Sequence, residues 1–478
     1  MSECTRIVAI TLLVALFAIL GPVTGSCVET EPRAKGIIML IGDGMGINQV
    51  RSAAIYSKHV LGKTLVIDSI RTRGTTTTYS ADSEVTDSSS AATALYTGYK
   101  INNGVINILP DGRKAYTIGH AAKKAGMSVG IVSTTRLTHA TPAAVYGHVP
   151  YRDDENLLAE QLVDFEPDAA LGGGLGQFIP VNQKGSVRKD GKNPVEAMKA
   201  KGYDVLMTSR ELRAFNPDSG RKLLGLFSPT NLYFELDRRN VPEPDAEPSL
   251  KEMTEKALSI VASNPKGFFI MIEGGRIDHA CHSHDIKASI YDVLAFDEAV
   301  GAALEFRKTH PDVLVIVTAD HETGGLGLGK GTDYSLNLGA LKPITASLEY
   351  LNAGMEKQPG DIEAILKAGG YELTDKEREL FRKYQPRTGP AGIAELLGYK
   401  PAINKYVFSW LHYALGMIQN ERAGIAWTSF VHTAQPVVTY AAGPGEEQFS
   451  GSYDNTDIPK KMVSLLGLTL APPSVGGK

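Results

Sequence analysis

Gly36-Ile37-Ile38-Met39-Leu40-Ile41-Gly42-Asp43-Gly44-Met45-Gly46 reads as a strand that is apolar throughout and ends in an acid set among glycines. A strand with one face in water alternates polar and apolar residues. This run does not alternate, so it belongs in a sheet covered on both faces. Two later segments repeat the design. Phe268-Phe269-Ile270-Met271-Ile272 leads into Glu273-Gly274-Gly275-Arg276-Ile277-Asp278-His279, and Leu314-Val315-Ile316-Val317-Thr318 leads into Asp320-His321-Glu322-Thr323-Gly324-Gly325. In an open α/β sheet the carboxyl ends of parallel strands line one crevice, so these acids and imidazoles are expected to converge.

Outward from these segments, apolar runs such as Val129–Ser133 alternate with amphipathic helical stretches. The pattern predicts an α/β fold with a large, mostly parallel central sheet flanked by helices on both faces. Ser249-Leu250-Lys251-Glu252 is a capping box that opens one helix, which ends near Asn264-Pro265. From Gly331 to Gly424 strand signals fade. That stretch holds a second capping box, Thr374-Asp375-Lys376-Glu377, and the apolar run Tyr406–Ile418, and it reads as an inserted helical subdomain. Apolar helical surface has to be buried somewhere, so the insertion is expected to be a lid or a dimer contact. Strand character returns at Val437–Ala442, and a helix near Lys460–Leu466 closes the chain.

The chain has 478 residues, 43% of them hydrophobic, enough for a large core. Its net charge of -4 arises from 49 basic and 53 acidic residues without long runs of one sign, which disfavours nucleic acid as a specific partner. Residues 1–26 read as a signal peptide: Arg6 precedes the apolar stretch Ile7–Leu20, which breaks at Gly21-Pro22 before the small residues Gly25-Ser26. The apolar stretch is short for a bilayer span, although an uncleaved anchor is the competing reading. Cys27 then opens the mature chain, residues 27–478, in a context similar to a lipoprotein attachment site. The expected destination is periplasmic or extracellular, with membrane anchoring as an option. Cys27 and Cys281 are too few for a disulfide framework, so packing and metals must supply stability.

Any single acid after a strand can simply cap a helix. Three strands ending alike would bring several carboxylates together, and divalent cations remove the resulting repulsion. Asp278 and His282 are four apart, on one helical face, and Asp320-His321 requires a tight turn to aim both side chains at one point. Mixed carboxylate and imidazole donors favour zinc over calcium. The nucleophile candidate lies in Thr86-Asp87-Ser88-Ser89-Ser90-Ala91-Ala92-Thr93-Ala94, where polar residues run into a small-residue helix. Ser88 in the first turn would meet an incoming anion beside free backbone N–H groups, while capping is the commoner role of such a serine and Ser89 and Ser90 compete with it.

Taken together and in order, these motifs resemble the alkaline phosphatase family. The resemblance implies hydrolysis of a broad range of phosphate monoesters through a phosphoserine on Ser88, with two zinc ions and one magnesium. By motif, Asp278, His282 and His432 correspond to the ligands of the first zinc, and Asp43, Asp320 and His321 to those of the second. Asp43, Thr141 and Glu273 correspond to the magnesium shell, and Arg152, in Tyr151-Arg152-Asp153, to the phosphate clamp. Asp87, His139 and His279 would stand behind these. His139 and His279 resemble the animal enzymes, since the better-known bacterial ones carry an acid and a lysine there, so the occupant of the third site stays open. His412 rivals His432 but sits inside a helical pattern, where a structural histidine is expected, and Cys281 reads as a buried bystander. A homodimer is implied by the family alone. The competing readings are a phosphodiesterase of the same superfamily, a sulfatase, and an inactive phosphate- or metal-binding protein.

Overall fold

Ile37, Met39 and Ile41 of β1 (Gly36–Gly42) join one hydrophobic core, and Ile38 and Leu40 join another on the opposite side of the sheet. All five are fully buried. The period of two along a strand thus explains the unbroken apolar run: each face of the sheet carries its own core. The computed structural model describes residues 34–240, 247–332, 334–357, 362–384 and 409–475. The expected signal peptide, Cys27, and the start of the Tyr406–Ile418 run lie outside the described residues.

The other strands are β2 (Thr72–Thr77), β3 (Ser128–Arg136), β4 (Ala169–Gly173), β5 (Asp204–Leu206) and β6 (Leu223–Leu226). They are followed by β7 (Phe268–Gly274), β8 (Val313–Ala319), β9 (Glu322–Thr323), β10 (His432–Thr433), β11 (Val437–Ala442) and β12 (Gly451–Asp454). Among the described residues the central sheet has ten strands in the order β12-β2-β11-β8-β1-β7-β3-β4-β6-β5, and β9 and β10 form a separate pair. From β8 to β5 every pairing is parallel, and β11 alone runs against its neighbours β8 and β2. The predicted strands at Gly36, Val129, Phe268, Leu314 and Val437 are all present, with Val437–Ala442 as the antiparallel one.

Helices cover both faces. The longest, Ile286–Thr309, packs with Leu250–Val261, whose capping box forms as read: Glu252 N–H donates to Ser249 Oγ, and Ser249 N–H donates to Glu252 Oε2. The chain closes on the helix Asp457–Leu465. Among the described residues of 331–424 there are helices and no strand, and the Thr374–Glu377 capping box is formed. Leu341, Leu348, Leu351, Leu411, Leu415 and Ile418 of this stretch share a core with Ile286 and Ile290 of the long helix. The described residues from 34 on form one compact unit, and these helices share its core.

Candidate active site

Gly42 of β1 lies level with Gly274 of β7 on one side and Ala319 of β8 on the other. That register places Asp43, Glu273 and Asp320 together at the carboxyl ends of three adjacent parallel strands, and all three are fully buried. Gly44 then turns with φ +70°, a conformation that favours glycine. A Cβ there would come within 2.9 Å of the Asp278 backbone. Gly44 N–H instead donates to Asp320 Oδ1 at 3.1 Å, tying the first strand end to the third.

The helix Arg276–His282 follows β7 and presents Asp278 and His282 one turn apart, with His282 Nε2 3.3 Å from Asp278 Oδ2. His432 comes from far along the chain. It reaches the site because β10 pairs antiparallel with β9, setting His432 opposite Thr323, just after Asp320-His321. Three sets of side chains each bring their potential ligand atoms within 4.8 Å of one another: Asp278, His282 and His432; Asp43, Asp320 and His321; and Asp43, His139 and Glu273. Thr141 is buried in the short helix Ala140–Ala143.

These groups are poorly satisfied by the protein itself. Both carboxylate oxygens of Asp43, Asp320 Oδ2, Glu273 Oε1 and Thr141 Oγ1 are buried with no hydrogen-bond partner among the described residues. Burial and then the neighbouring carboxylates Asp320, Asp278 and Glu273 drive the Asp43 carboxyl well above the usual range. Burial and Asp278 do the same to Asp320, and burial pushes Glu273 up to about 7 against the pull of Ser133 and Thr135. Asp278 goes the other way: burial opposes its charge, but His282, in direct contact with it, leads the groups that hold it well below the usual range. Burial lowers His432 to about 4 and His321 well below its ordinary value, so both imidazoles are neutral. Neutral imidazoles and stacked carboxylates are a donor set that divalent cations fit, because cation charge offsets the repulsion and takes up the unpaired oxygens.

Asp87 caps the helix Ser88–Thr97, its carboxylate accepting from Ser90 N–H at 2.9 Å. The three serines then separate by what they touch. Ser89 Oγ donates back to Asp87 and Ser90 Oγ donates to the Ile101 carbonyl at 2.9 Å, whereas Ser88 Oγ lies 3.2 Å from His321 Nε2. The Arg152 Nη1 donates to Asp87 Oδ2 at 2.9 Å, and its Nη2 lies 3.3 Å from His139 Nε2. Burial opposes the Asp87 charge, but Arg152 and the hydrogen bonds from Ser90 and Ser89 hold its carboxyl below the ordinary value. His139 and His279 stand 5.5 Å apart with their rings nearly perpendicular.

His412 is not brought to this constellation; it is buried in the helix Trp410–Ala423 and its Nε2 lies 3.3 Å from the Ser283 carbonyl. Cys281 is buried, its Sγ 3.4 Å from Ser289 Oγ. Several contributors escaped the sequence reading. Ser133 and Thr135 hydrogen-bond Glu273 Oε2, and they sit two apart in the polar last half of β3, a spacing that puts both on one face. Glu322 gathers Gln49 Nε2, Gly325 N–H, Leu326 N–H and Thr433 Oγ1, which fixes the β9–β10 pair that carries His432. Thr323 Oγ1 donates to Asp278 Oδ1 at 2.5 Å. Both residues lay inside a recognised motif, but only folding shows what they touch.

A family model described as alkaline phosphatase matches residues 34–468. Alkaline phosphatase 3 of Bacillus subtilis is 33% identical over 449 residues, covering 91% of this chain and 90% of that protein. The repressible alkaline phosphatase of Saccharomyces cerevisiae is 31% identical, covering 98% of this chain and 87% of the yeast protein. Among solved structures, Thermus thermophilus alkaline phosphatase superposes with a TM-score of 0.79 at 34% identity, covering 91% of this chain and 92% of its own.

Proposed function

This chain belongs to the alkaline phosphatase family of phosphomonoester hydrolases, and on that premise we propose that it cleaves phosphate monoesters through a phosphoserine on Ser88. The observation that carries the reading is Ser88 itself. Alone of the three serines, its hydroxyl faces the carboxylate and imidazole cluster, at the first turn of a helix.

Asp278, His282 and His432 would hold one zinc ion, Asp43, Asp320 and His321 a second, and Asp43, Thr141 and Glu273 a magnesium ion. When bound, such cations neutralise the buried carboxylates and supply the Lewis acidity that makes a serine hydroxyl and a water nucleophilic at neutral pH. The chain's own groups do the rest. Arg152, steered by Asp87, grips two phosphoryl oxygens with its planar fork, and the N–H groups of the helix start add positive potential. Ser88 Oγ forms a bond to phosphorus as the ester P–O bond opposite it breaks, and the alcohol departs. A water then attacks the phosphoserine from the side the alcohol left, releasing inorganic phosphate and restoring the hydroxyl. Charge in this loose transition state is spread over the phosphoryl oxygens, so fixed positive groups supply most of the acceleration. The reading is tested by acid quenching during turnover and mapping phosphate by mass spectrometry: phosphate on Ser88 is expected, and phosphate on Ser89, or on no residue, contradicts it.

The proposal includes export, with residues 1–26 as a removable signal, a lipid at Cys27 as an option, and a homodimer to which residues 331–424 contribute a lid or a contact. No helix among the described residues is long and apolar enough to cross a membrane.

A further inference from the structure

Arg276 is a buried cation that the chemistry above leaves without a task. Its side chain is 3% exposed, and its guanidinium carbon lies 3.7 Å from the centroid of the Phe234 ring. Its Nη2 donates to Glu349 Oε1 at 2.7 Å, and its Nη1 lies 2.8 Å from His279 Nδ1. A guanidinium has only donors. His279 Nδ1 must therefore accept, which leaves the ring hydrogen on Nε2 and makes His279 a fixed hydrogen-bond donor. Its neighbour is His139, whose Nε2 meets Arg152. Hydrogen bonds thus link Glu349 through Arg276 to His279; from there to His139, which meets the phosphate-gripping Arg152, the contact is ring edge to ring face, with centroids 5.5 Å apart.

Glu349 belongs to the helix Leu348–Lys357, inside the stretch 331–424. The start of that helix is pinned from below: Ser347 N–H donates to Asp237 Oδ1 and Leu348 N–H to Asp285 Oδ2, each at 2.7 Å, and both carboxylates are buried. Glu349 therefore reaches Arg276 from an anchored helix end. Arg276 Nε has no hydrogen-bond partner among the described residues, so over the Phe234 ring the guanidinium is oriented by the hydrogen bonds of its two terminal nitrogens, one on Glu349 and one on His279.

We propose that Glu349 is a positioning residue for the phosphate site, acting through Arg276 to fix the tautomer and ring plane of His279. The inserted stretch would then be part of the catalytic apparatus. This rests on the phosphomonoesterase reading. In metal centres, residues that orient the groups next to the reacting atoms typically change activity or affinity about 10- to 100-fold when removed.

The test is a double-mutant cycle on the full-length, metal-loaded protein with Glu349→Ala, His279→Ala and the pair. One readout is hydrolysis of a chromogenic phosphate monoester. The other is calorimetric binding of inorganic phosphate, which needs no turnover. Glu349 has a side chain 44% exposed, so its truncation should leave the fold intact, and circular dichroism checks this. Glu349→Ala is expected to lower kcat and to weaken phosphate binding roughly tenfold, with no further loss when His279 is already alanine. Unchanged kcat and phosphate affinity in Glu349→Ala overturns the proposal, and so does a loss that simply adds to that of His279→Ala. A wild-type chain without phosphatase activity sinks the underlying reading instead, and phosphate binding still judges the role of Glu349 separately.

Discussion

Asp87 holds Arg152 by a hydrogen bond of 2.9 Å, and the same carboxylate caps the helix that begins with Ser88. One acid thus sets the distance between nucleophile and clamp. Asp87→Ala is expected to remove one of the contacts that hold Arg152 and to fray the start of the helix. A hydrogen bond to a charged group contributes about 1.5–3 kcal/mol, which corresponds to a loss in kcat/KM of roughly 10- to 100-fold. Steady-state kinetics on a phosphate monoester, with inorganic phosphate as competitor, measures it, and the inhibitor should weaken alongside.

Without cations, Asp43 and Asp320 have carboxyls raised well above the usual range, and Glu273 is raised to about 7. An acid whose folded value is raised contributes stability that is full below its unfolded value and lost as pH rises through its folded value. The depressed histidines, such as His432, act in the opposite sense, but only below their ordinary value of 6.5. The metal-free protein is therefore expected to lose stability as pH rises from about 6.5 through about 7, the folded value of Glu273, on the order of 1 kcal/mol per pH unit for each proton that only the folded state still holds. Thermal melts of chelated protein check this, and added zinc with magnesium should raise Tm more at the upper end of that window than at the lower.

Ser133→Ala removes one of the hydroxyls that orient Glu273 Oε2 and leaves the sheet intact. Magnesium affinity is expected to fall about 10- to 100-fold while zinc content is unchanged. Elemental analysis after dialysis against graded magnesium reads both.

Asp285 is a fully buried carboxylate that accepts from Leu348 N–H, Ala288 N–H and Gln419 Nε2, joining the long helix to two helices of the inserted stretch. Each buried donor left unsatisfied costs about 1–3 kcal/mol, so Asp285→Ala should destabilise the chain by at least about 3 kcal/mol in urea unfolding.

The sheet was legible in the sequence because a strand buried on both faces leaves an unbroken apolar run, and β1, β7 and β8 each end in the acids that mark the crevice. Asp43, Asp278, Asp320 and His321 lie within a few residues of those strand ends, so their convergence followed from topology. His432 could be placed only by resemblance, since its approach depends on a two-residue strand pairing with β9. The roles of Ser133, Glu322 and Arg276 were not legible for the same reason. Each acts through contacts between segments more than 60 residues apart, such as Arg276 with Glu349, 73 residues away, and no local pattern records them.

The central claim is that Ser88 is the group that takes the phosphoryl. The direct measurement compares wild type with Ser88→Ala for hydrolysis of a chromogenic phosphate monoester, with zinc and magnesium content determined in both. The account predicts that turnover is lost in the variant while the metal content stays at the wild-type level. A variant that keeps its metals and remains fully active would contradict it.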